Sequence, residues 1–392
     1  MVNIKRWMDE RLELILETKI KVQREVKFPE VRDIKAIVGP RRSGKTFYLY
    51  QMAQKMEREK QIVYINFDDI ALYNLSPSDW MKLFKTLDKG TVLLLDEVQS
   101  LHNWGRVLRS LHDSLKFDIF VTGSSSKLLI KEISSQLRGR YISKMFLPFS
   151  FREFLKAREM NIKEAFEEYL KYGGFPEVVM SDGAEKREKL LSILESTFYR
   201  DFVERTGVRE EIVGRILMEK LISSTSYLFS ISKTKRQLDS LGIRLSKRTV
   251  WKYVNGLIEA FMVFLSTPYV FSKQKEFQMQ KKIYASDTGI ANLIKKIPTG
   301  AIIETAVALE LLRRGEELRY LPLDKREIDF SLIRGNKARI IEVCVEEDEE
   351  HLRKLEEGKK KLSKIFNVKE ELLTLESYER GKDIIKWFLR KR

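Results

Sequence analysis

Between residues 34 and 180, short apolar runs alternate with stretches of helical spacing. The runs IKAIVG, QIVYINF, TVLLLDE, FDIFVTG and YISKMFL are β-rich, and three of them hold almost no polar residue before their last positions. Continuous apolar runs suit strands buried on both faces, and their alternation with helices predicts a parallel sheet covered by helices. Ahead of them, Ile4, Trp7, Met8, Leu12, Leu14 and Ile15 recur at helical spacing and predict an amphipathic helix over 4–20. Helical periodicity runs from Phe151 to about Leu221, punctuated by Gly173, Gly174 and Pro176. A helix near 211–223 is followed by ISKTKRQLDSLGI, by LSKRTVWKYVNGLIEAFMVFL and by a β-rich stretch containing TPYVFSKQK. Helix, turn, helix and hairpin in that order predict a winged helix-turn-helix, with Ser246 as N-cap of its second helix. After residue 285 the pattern returns to mixed α/β: a helix near 301–315, the strand-like runs REIDFSLI and KARIIEVCV, then charged helical sequence.

Composition narrows the partners. The chain of 392 residues holds 73 Lys and Arg against 57 Asp and Glu, a net charge of +16. Such a surplus favours polyanions, nucleic acid first; the competing reading is a solvated surface rich in Lys and Glu. A single cysteine, Cys344, excludes an internal disulfide framework and fits a reducing cytoplasm. The histidines His102, His112 and His351 are scattered and suggest no zinc site. The charged N-terminus lacks an apolar signal core, and no apolar run approaches a membrane span. The expectation is a soluble, cytoplasmic protein with no membrane partner.

The strongest candidate chemistry is GPRRSGKT, which fits G-x-x-x-x-G-K-[ST]. It comprises Gly39, Pro40, Arg41, Arg42, Ser43, Gly44, Lys45 and Thr46, follows a predicted strand and opens a predicted helix with Phe47 next. The glycines let backbone N–H groups wrap phosphate oxygens, and the helix N-terminus adds partial positive charge. Lys45 would reach the β- and γ-phosphates, and the Thr46 hydroxyl would ligate Mg²⁺. A second signal is TVLLLDE, whose strand would deliver Asp96 to the Mg²⁺ and Glu97 to the attacking water. FDIFVTGSSS then places Thr122, Ser124 and Ser125 where hydroxyls can sense the γ-phosphate.

GPRRSGKT, LLLDEVQSLHNW, VTGSSS, LRGR, FLPFSFREF and YGGFPEVV together resemble an archaeal and bacterial family of P-loop ATPases in the AAA+ superfamily, related to the signalling (STAND) ATPases. The resemblance covers nearly the whole chain. It implies an ATP-dependent ATPase with Mg²⁺, and an arginine before the last core strand that acts on a neighbouring subunit's γ-phosphate. Arg140, with Arg138 beside it, stands at that point, so the resemblance also implies self-association. The absence of a guanine-reading N-K-x-D motif agrees with ATP. The expected organisation is an AAA+ core over 1–150, a helical lid over 151–210, a winged helix over 211–284 and an α/β domain over 285–392.

Lys247, Arg248 and Lys252 lie opposite the apolar stripe of the second predicted helix, where they can meet DNA phosphates or guanine edges. Lys273 and Lys275 would lie in or near the wing. KIYASDTGI, IIETAVALELLRR, EIDFSLI and IIEVCV resemble the restriction-endonuclease-like PD-(D/E)XK region that accompanies this family. That resemblance implies Glu304, Asp329 and Glu342 as carboxylates of a second Mg²⁺ site. Cys344 occupies the usual lysine position, a departure that argues against cleavage unless Lys325 or Lys337 reaches in. The resulting expectation is an ATP-dependent switch or motor acting on DNA; the alternatives are a Mg²⁺-dependent nuclease and a signalling ATPase with protein partners.

Overall fold

The structure is a computed structural model that describes residues 4–72, 74–123, 136–208, 210–324, 326–375 and 380–390. It divides into two compact units, Met1–Pro148 and Phe149–Arg392.

The first unit is built on five parallel strands: β1 (Ile34–Val38), β2 (Ile62–Asn66), β3 (Val92–Asp96), β4 (Asp118–Gly123) and β5 (Tyr141–Met145). Their order is β2-β3-β4-β1-β5. β1 and β3 are buried along their whole length; β3 reads as an apolar run up to Asp96, while β1 buries one lysine, Lys35, paired with Asp118, and the edge strand β5 is partly exposed. Alternate side chains feed cores on opposite faces. Ala36, Val38, Leu93 and Leu95 pack with Met8, Trp80 and Leu108 on one side; Ile37 and Leu94 pack with Tyr48, Leu49 and Ile15 on the other. The order seats β4 between β1 and β3, so Val38, Gly123 and Asp96 end side by side at the carboxyl edge. Crevices beyond such strand ends are where open α/β sheets bind ligands.

The second unit opens with helices Phe151–Ala157, Ile162–Tyr172 and Glu185–Ser196. Ser150 starts the first through a reciprocal cap: its hydroxyl accepts from Glu153 N, and the Glu153 carboxylate accepts from Ser150 N at 2.9 Å. Helices Glu211–Ser223, Ile231–Ser240 and Lys247–Glu259 follow, and the Ser246 hydroxyl caps the last by accepting from Thr249 N at 3.0 Å. Strands β7 (Val263–Pro268) and β8 (Lys281–Ala285) then pair antiparallel, with β6 (Leu228–Phe229) on the far side of β8.

Two features differ from the sequence expectation. The segment between β7 and β8 is not a β-wing throughout, because Lys273–Gln278 forms a short helix. Ser272 caps it by accepting from Lys275 N, and the run KQKEFQ lacks the β-branched residues that would extend the hairpin. The sheet also runs past the expected boundary at residue 284. Its order is β10-β9-β7-β8-β6, where β9 (Arg319–Pro322) pairs parallel with β7, and β10 (Glu327–Ile328) pairs with β9. A third sheet, β11 (Phe330–Arg334), β12 (Lys337–Val343), β13 (Asn367–Thr374) and β14 (Gly381–Asp383), completes the unit. β11 and β12 are antiparallel, whereas helix Glu349–Leu362 carries the chain to β13, parallel to β12.

Candidate functional site

The loop after β1 has the backbone a phosphate cradle needs. Gly44 sits at φ 92°, a left-handed conformation that favours glycine, immediately before helix Lys45–Met56. Gly39 passes so close to β5's end that a Cβ there would stand 2.2 Å from the Phe146 carbonyl oxygen. Ser43 Oγ is buried with no hydrogen-bond partner among the described residues, an orphaned donor inside the loop. Lys45 is buried, and its Nζ donates to the carbonyls of Gly39 at 3.1 Å and Pro40 at 2.7 Å. A buried ammonium, an orphaned hydroxyl and a helix N-terminus form a donor set that fits phosphate. Pro40 is buried, Arg41 partly so, and Arg42 and Phe47 are exposed at the rim.

Asp96 faces this loop from the end of β3 and is 1% exposed. Thr46 Oγ1 donates to its Oδ2 at 2.7 Å, Tyr64 OH to the same oxygen at 3.0 Å, and Thr122 Oγ1 to Oδ1. Burial, with the Glu97 carboxylate beside it, pushes Asp96 above the ordinary carboxylate range; the three hydroxyls pull the other way. Glu97 follows in a left-handed conformation at φ 51°, which turns it away from the strand direction. Its backbone N–H donates to Thr122 Oγ1 at 3.2 Å, and its carboxylate accepts from Gln99. Thr122 therefore ties β4 to both acids. Ser124 and Ser125 lie outside the described residues.

Sequence reasoning missed two supports. Tyr64 on β2 reads as one more buried strand residue, and only the pairing of β2 with β3 brings its hydroxyl to Asp96. Arg24 belongs to an irregular segment with no motif. Its guanidinium donates to the carbonyls of Ser43 and Leu147, each at 2.6 Å, and lies 3.9 Å from the Phe146 ring centroid. It braces the phosphate loop from behind.

Arg138 and Arg140 stand at the opposite, amino edge of the sheet. Arg140 O accepts from Ile34 N at the start of β1, and Arg140 Nε lies 2.8 Å from Asp113 Oδ1. The five residues of β1 separate them from the phosphate loop by about 17 Å. Neither reaches the nucleotide site of its own chain.

In the second unit, Lys247, Arg248 and Lys252 are all exposed on helix Lys247–Glu259, together with Trp251 at 45% exposure, which sequence reasoning passed over. Lys273 and Lys275 are exposed on the short helix, near Phe277 at 89% exposure. Glu304, Asp329 and Glu342 come together as buried groups, but around ammonium groups. Lys282 Nζ is 2.8 Å from both Glu304 Oε1 and Asp329 Oδ1, and Lys354 donates to Glu342. Among the described residues, the lysines that reach the carboxylates are Lys282 and Lys354. Lys337 is exposed at the far end of β12, and Lys325 lies outside the described residues. Burial pushes the Cys344 thiol up to about 12, so it stays neutral. Burial and the Asp329 carboxylate raise the pKa of Glu304, while the Lys282 ammonium and the Tyr284 hydroxyl pull it back down. No group of three or more His, Cys, Asp or Glu among the described residues is arranged to hold a metal ion. No helix among them is long and apolar enough to cross a membrane.

A family model described as an AAA domain matches residues 31–155, and one described as a domain of unknown function (DUF8612) matches residues 163–300. The chain is 35% identical over 363 residues to the uncharacterized protein MJ1544 of Methanocaldococcus jannaschii, covering 87% of this chain and 81% of that protein. It is 30% identical over 342 residues to an uncharacterized protein of Haemophilus influenzae, covering 83% and 86% respectively. Among solved structures, the Walker-type ATPase PABY2304 of Pyrococcus abyssi aligns with a TM-score of 0.43 at 16% identity, covering 72% of this chain and 99% of that one.

Proposed function

The chain belongs to the same family as Methanocaldococcus jannaschii MJ1544 and carries an AAA-type P-loop ATPase domain, and on that premise we propose that it is an ATP-driven switch that binds DNA. The observation that carries the reading is the meeting of Thr46 and Asp96 beside a loop whose Ser43 hydroxyl and Lys45 ammonium suit phosphate. ATP would lie along Gly39–Thr46, with Lys45 drawn from the loop carbonyls to the phosphates. Bound Mg²⁺ supplies positive charge to the phosphate oxygens. Thr46 and Asp96 would hold that ion, and Glu97 would orient the attacking water. Arg140, with Arg138 as its neighbour, would act on the site of an adjoining subunit.

DNA binding rests on different residues. Lys247, Arg248 and Lys252 share an exposed helix face with Trp251, and a basic face with an interleaved aromatic suits a phosphate backbone and its bases. The order of helices and strands from Glu211 to Ala285 supports a winged helix. Lys273 and Lys275 would add backbone contacts from the neighbouring short helix. The +16 charge favours the same partner. A Mg²⁺-dependent nuclease and a protein-binding signalling ATPase are the competing readings.

The test is ATP hydrolysis by wild type and Lys45→Ala, with and without duplex DNA, across a salt series. A DNA-stimulated, Lys45-dependent rate that falls as salt rises is expected. Proteins making several phosphate contacts lose on the order of 10³–10⁵ in affinity between low and moderate salt. Hydrolysis indifferent to DNA would refute the DNA half of the reading and favour a protein partner.

A further inference from the structure

Glu304, Asp329 and Glu342 come from helix Thr299–Arg313, the break between β10 and β11, and β12, and all are buried. Three carboxylates in so dry a place need compensating charge, because an unpaired buried ion costs several kcal/mol. A divalent cation is one solution. It needs oxygens aimed at a common point and negative charge left over to attract it.

This chain meets the need internally. Lys282, 3% exposed on its side chain, sits between Glu304 Oε1 and Asp329 Oδ1 at 2.8 Å from each, with Glu327 Oε1 at 3.6 Å. Tyr284 OH also donates to Glu304 Oε1, at 2.6 Å. Asp329 Oδ2 accepts from Val343 N at 3.0 Å. Glu342 Oε2 accepts from Asp329 N at 3.3 Å, while Glu342 Oε1 takes Lys354 and stands 2.8 Å from His351 Nδ1. Two lysines and an imidazole thus face three carboxylates, and the oxygens of Asp329 and Glu342 already have donors. The lysine comes from β8, some sixty positions before Glu342 in the chain.

We propose that Lys282 is the resident cation of this cluster: its ammonium fills the place between Glu304 and Asp329 that a divalent metal would take. The cluster then joins β8, helix Thr299–Arg313, the break between β10 and β11, and β12 as a structural tie, and it is not a metal centre. Cys344, a neutral thiol, adds no charge to it.

Mn²⁺ is the probe, measured by electron paramagnetic resonance on the nucleotide-free full chain. All proteins carry Asp96→Asn, so that the nucleotide site contributes no ion and failure of the ATPase reading does not enter. That background protein is expected to bind no Mn²⁺ in a Glu342-dependent way. Lys282→Met, which keeps the length and removes the charge, is expected to gain one bound Mn²⁺, lost again on adding Asp329→Asn. Lys282→Arg is expected to fold and stay silent. If Lys282→Met fails to fold while Lys282→Arg folds and binds none, the requirement for a resident cation stands. Mn²⁺ bound by the background protein and lost with Glu342→Gln would overturn the proposal. So would a folded Lys282→Met that binds no Mn²⁺.

Discussion

Thr46 Oγ1 donates to Asp96 Oδ2 at 2.7 Å, which links the first turn of the phosphate-loop helix to the end of β3 across the intervening β4. The two groups expected to flank Mg²⁺ are therefore already in register. Thr46→Val keeps the shape and removes the hydroxyl. Hydrolysis should fall by about 10²-fold or more, the scale for losing a preorganised polar group at a reacting centre. Nucleotide binding in EDTA should stay near wild type, since the loop and Lys45 remain. Phosphate-release rates paired with fluorescent-nucleotide titrations check this; wild-type turnover in Thr46→Val would remove Thr46 from the site.

Tyr64 gives a subtler prediction. Its hydroxyl shares Asp96 Oδ2 with Thr46, and burial together with Asp96 raises its pKa far above the ordinary tyrosine value, so it remains a donor. Tyr64→Phe leaves a buried carboxylate short of one donor, a loss of about 1–3 kcal/mol in comparable cases. Asp96 should then be held less firmly, and half-maximal activation should need about fivefold more Mg²⁺, the equivalent of roughly 1 kcal/mol. ATP affinity without Mg²⁺ should not move. A change in ATP affinity with an unchanged Mg²⁺ requirement would assign Tyr64 to packing alone.

Asp287 in the second unit predicts a pH dependence. Its carboxylate accepts from Gly174 N and Gly289 N, each at 2.8 Å, and from Ile290 N at 3.3 Å. Burial still outweighs those bonds and raises its pKa from 3.8 to about 6. A raised folded pKa means the folded state binds the proton more tightly than the unfolded chain. The stability this confers is full below pH 4 and is lost as pH rises to about 6. The span corresponds to roughly 3 kcal/mol at most. Asp287→Asn cannot titrate, so the stability difference, wild type minus variant, should fall as pH rises from 4 to 6.5 and then level off. Urea unfolding at several pH values measures it; a difference that is constant or rises with pH contradicts the assignment.

The legibility of the site follows the range of the interactions. GPRRSGKT and LLLDE are local patterns whose geometry is set by the strand and helix on either side, so they were readable. Tyr64 was not, because its role arises from β2 lying next to β3. The same holds for Lys282. The position where the resemblance implies a lysine is 344, two residues after Glu342, whereas the ammonium arrives from another strand. The helices between Glu211 and Glu259 were legible, because the last of them carries an apolar stripe that includes the buried Val250, Val254 and Leu257. The sheet that follows them was less so, since β9 and β10 join β7 from later in the chain, and pairing across fifty residues leaves no periodic trace. Lys273 and Lys275 do lie between β7 and β8, but the short helix that carries them was not legible, because aromatic and β-branched residues before them outweighed the short cap at Ser272.

Arg140 offers the test of assembly. It lies at the amino edge of the sheet, ion-paired with Asp113 at 2.8 Å, and about 17 Å of strand separates it from the phosphate loop of its own chain. Any action on ATP must then be exerted on another copy. Arg140→Ala and Lys45→Ala should each be inactive alone, the first because losing such an arginine costs about 10³–10⁵ in rate. Mixed together, they should regain activity. An Arg140→Ala subunit keeps an intact phosphate loop, and a Lys45→Ala neighbour supplies the arginine. The recovered rate should rise with total protein concentration, as subunit association requires. Arg138→Ala serves as the comparison, because Arg138 is the neighbouring candidate, two residues earlier, on the other side of Gly139 and its left-handed turn. If Arg140→Ala alone hydrolyses ATP as wild type does, the edge arginine is a structural partner of Asp113. If both single variants are inactive and mixing restores nothing at any concentration, the arginine does not act between subunits.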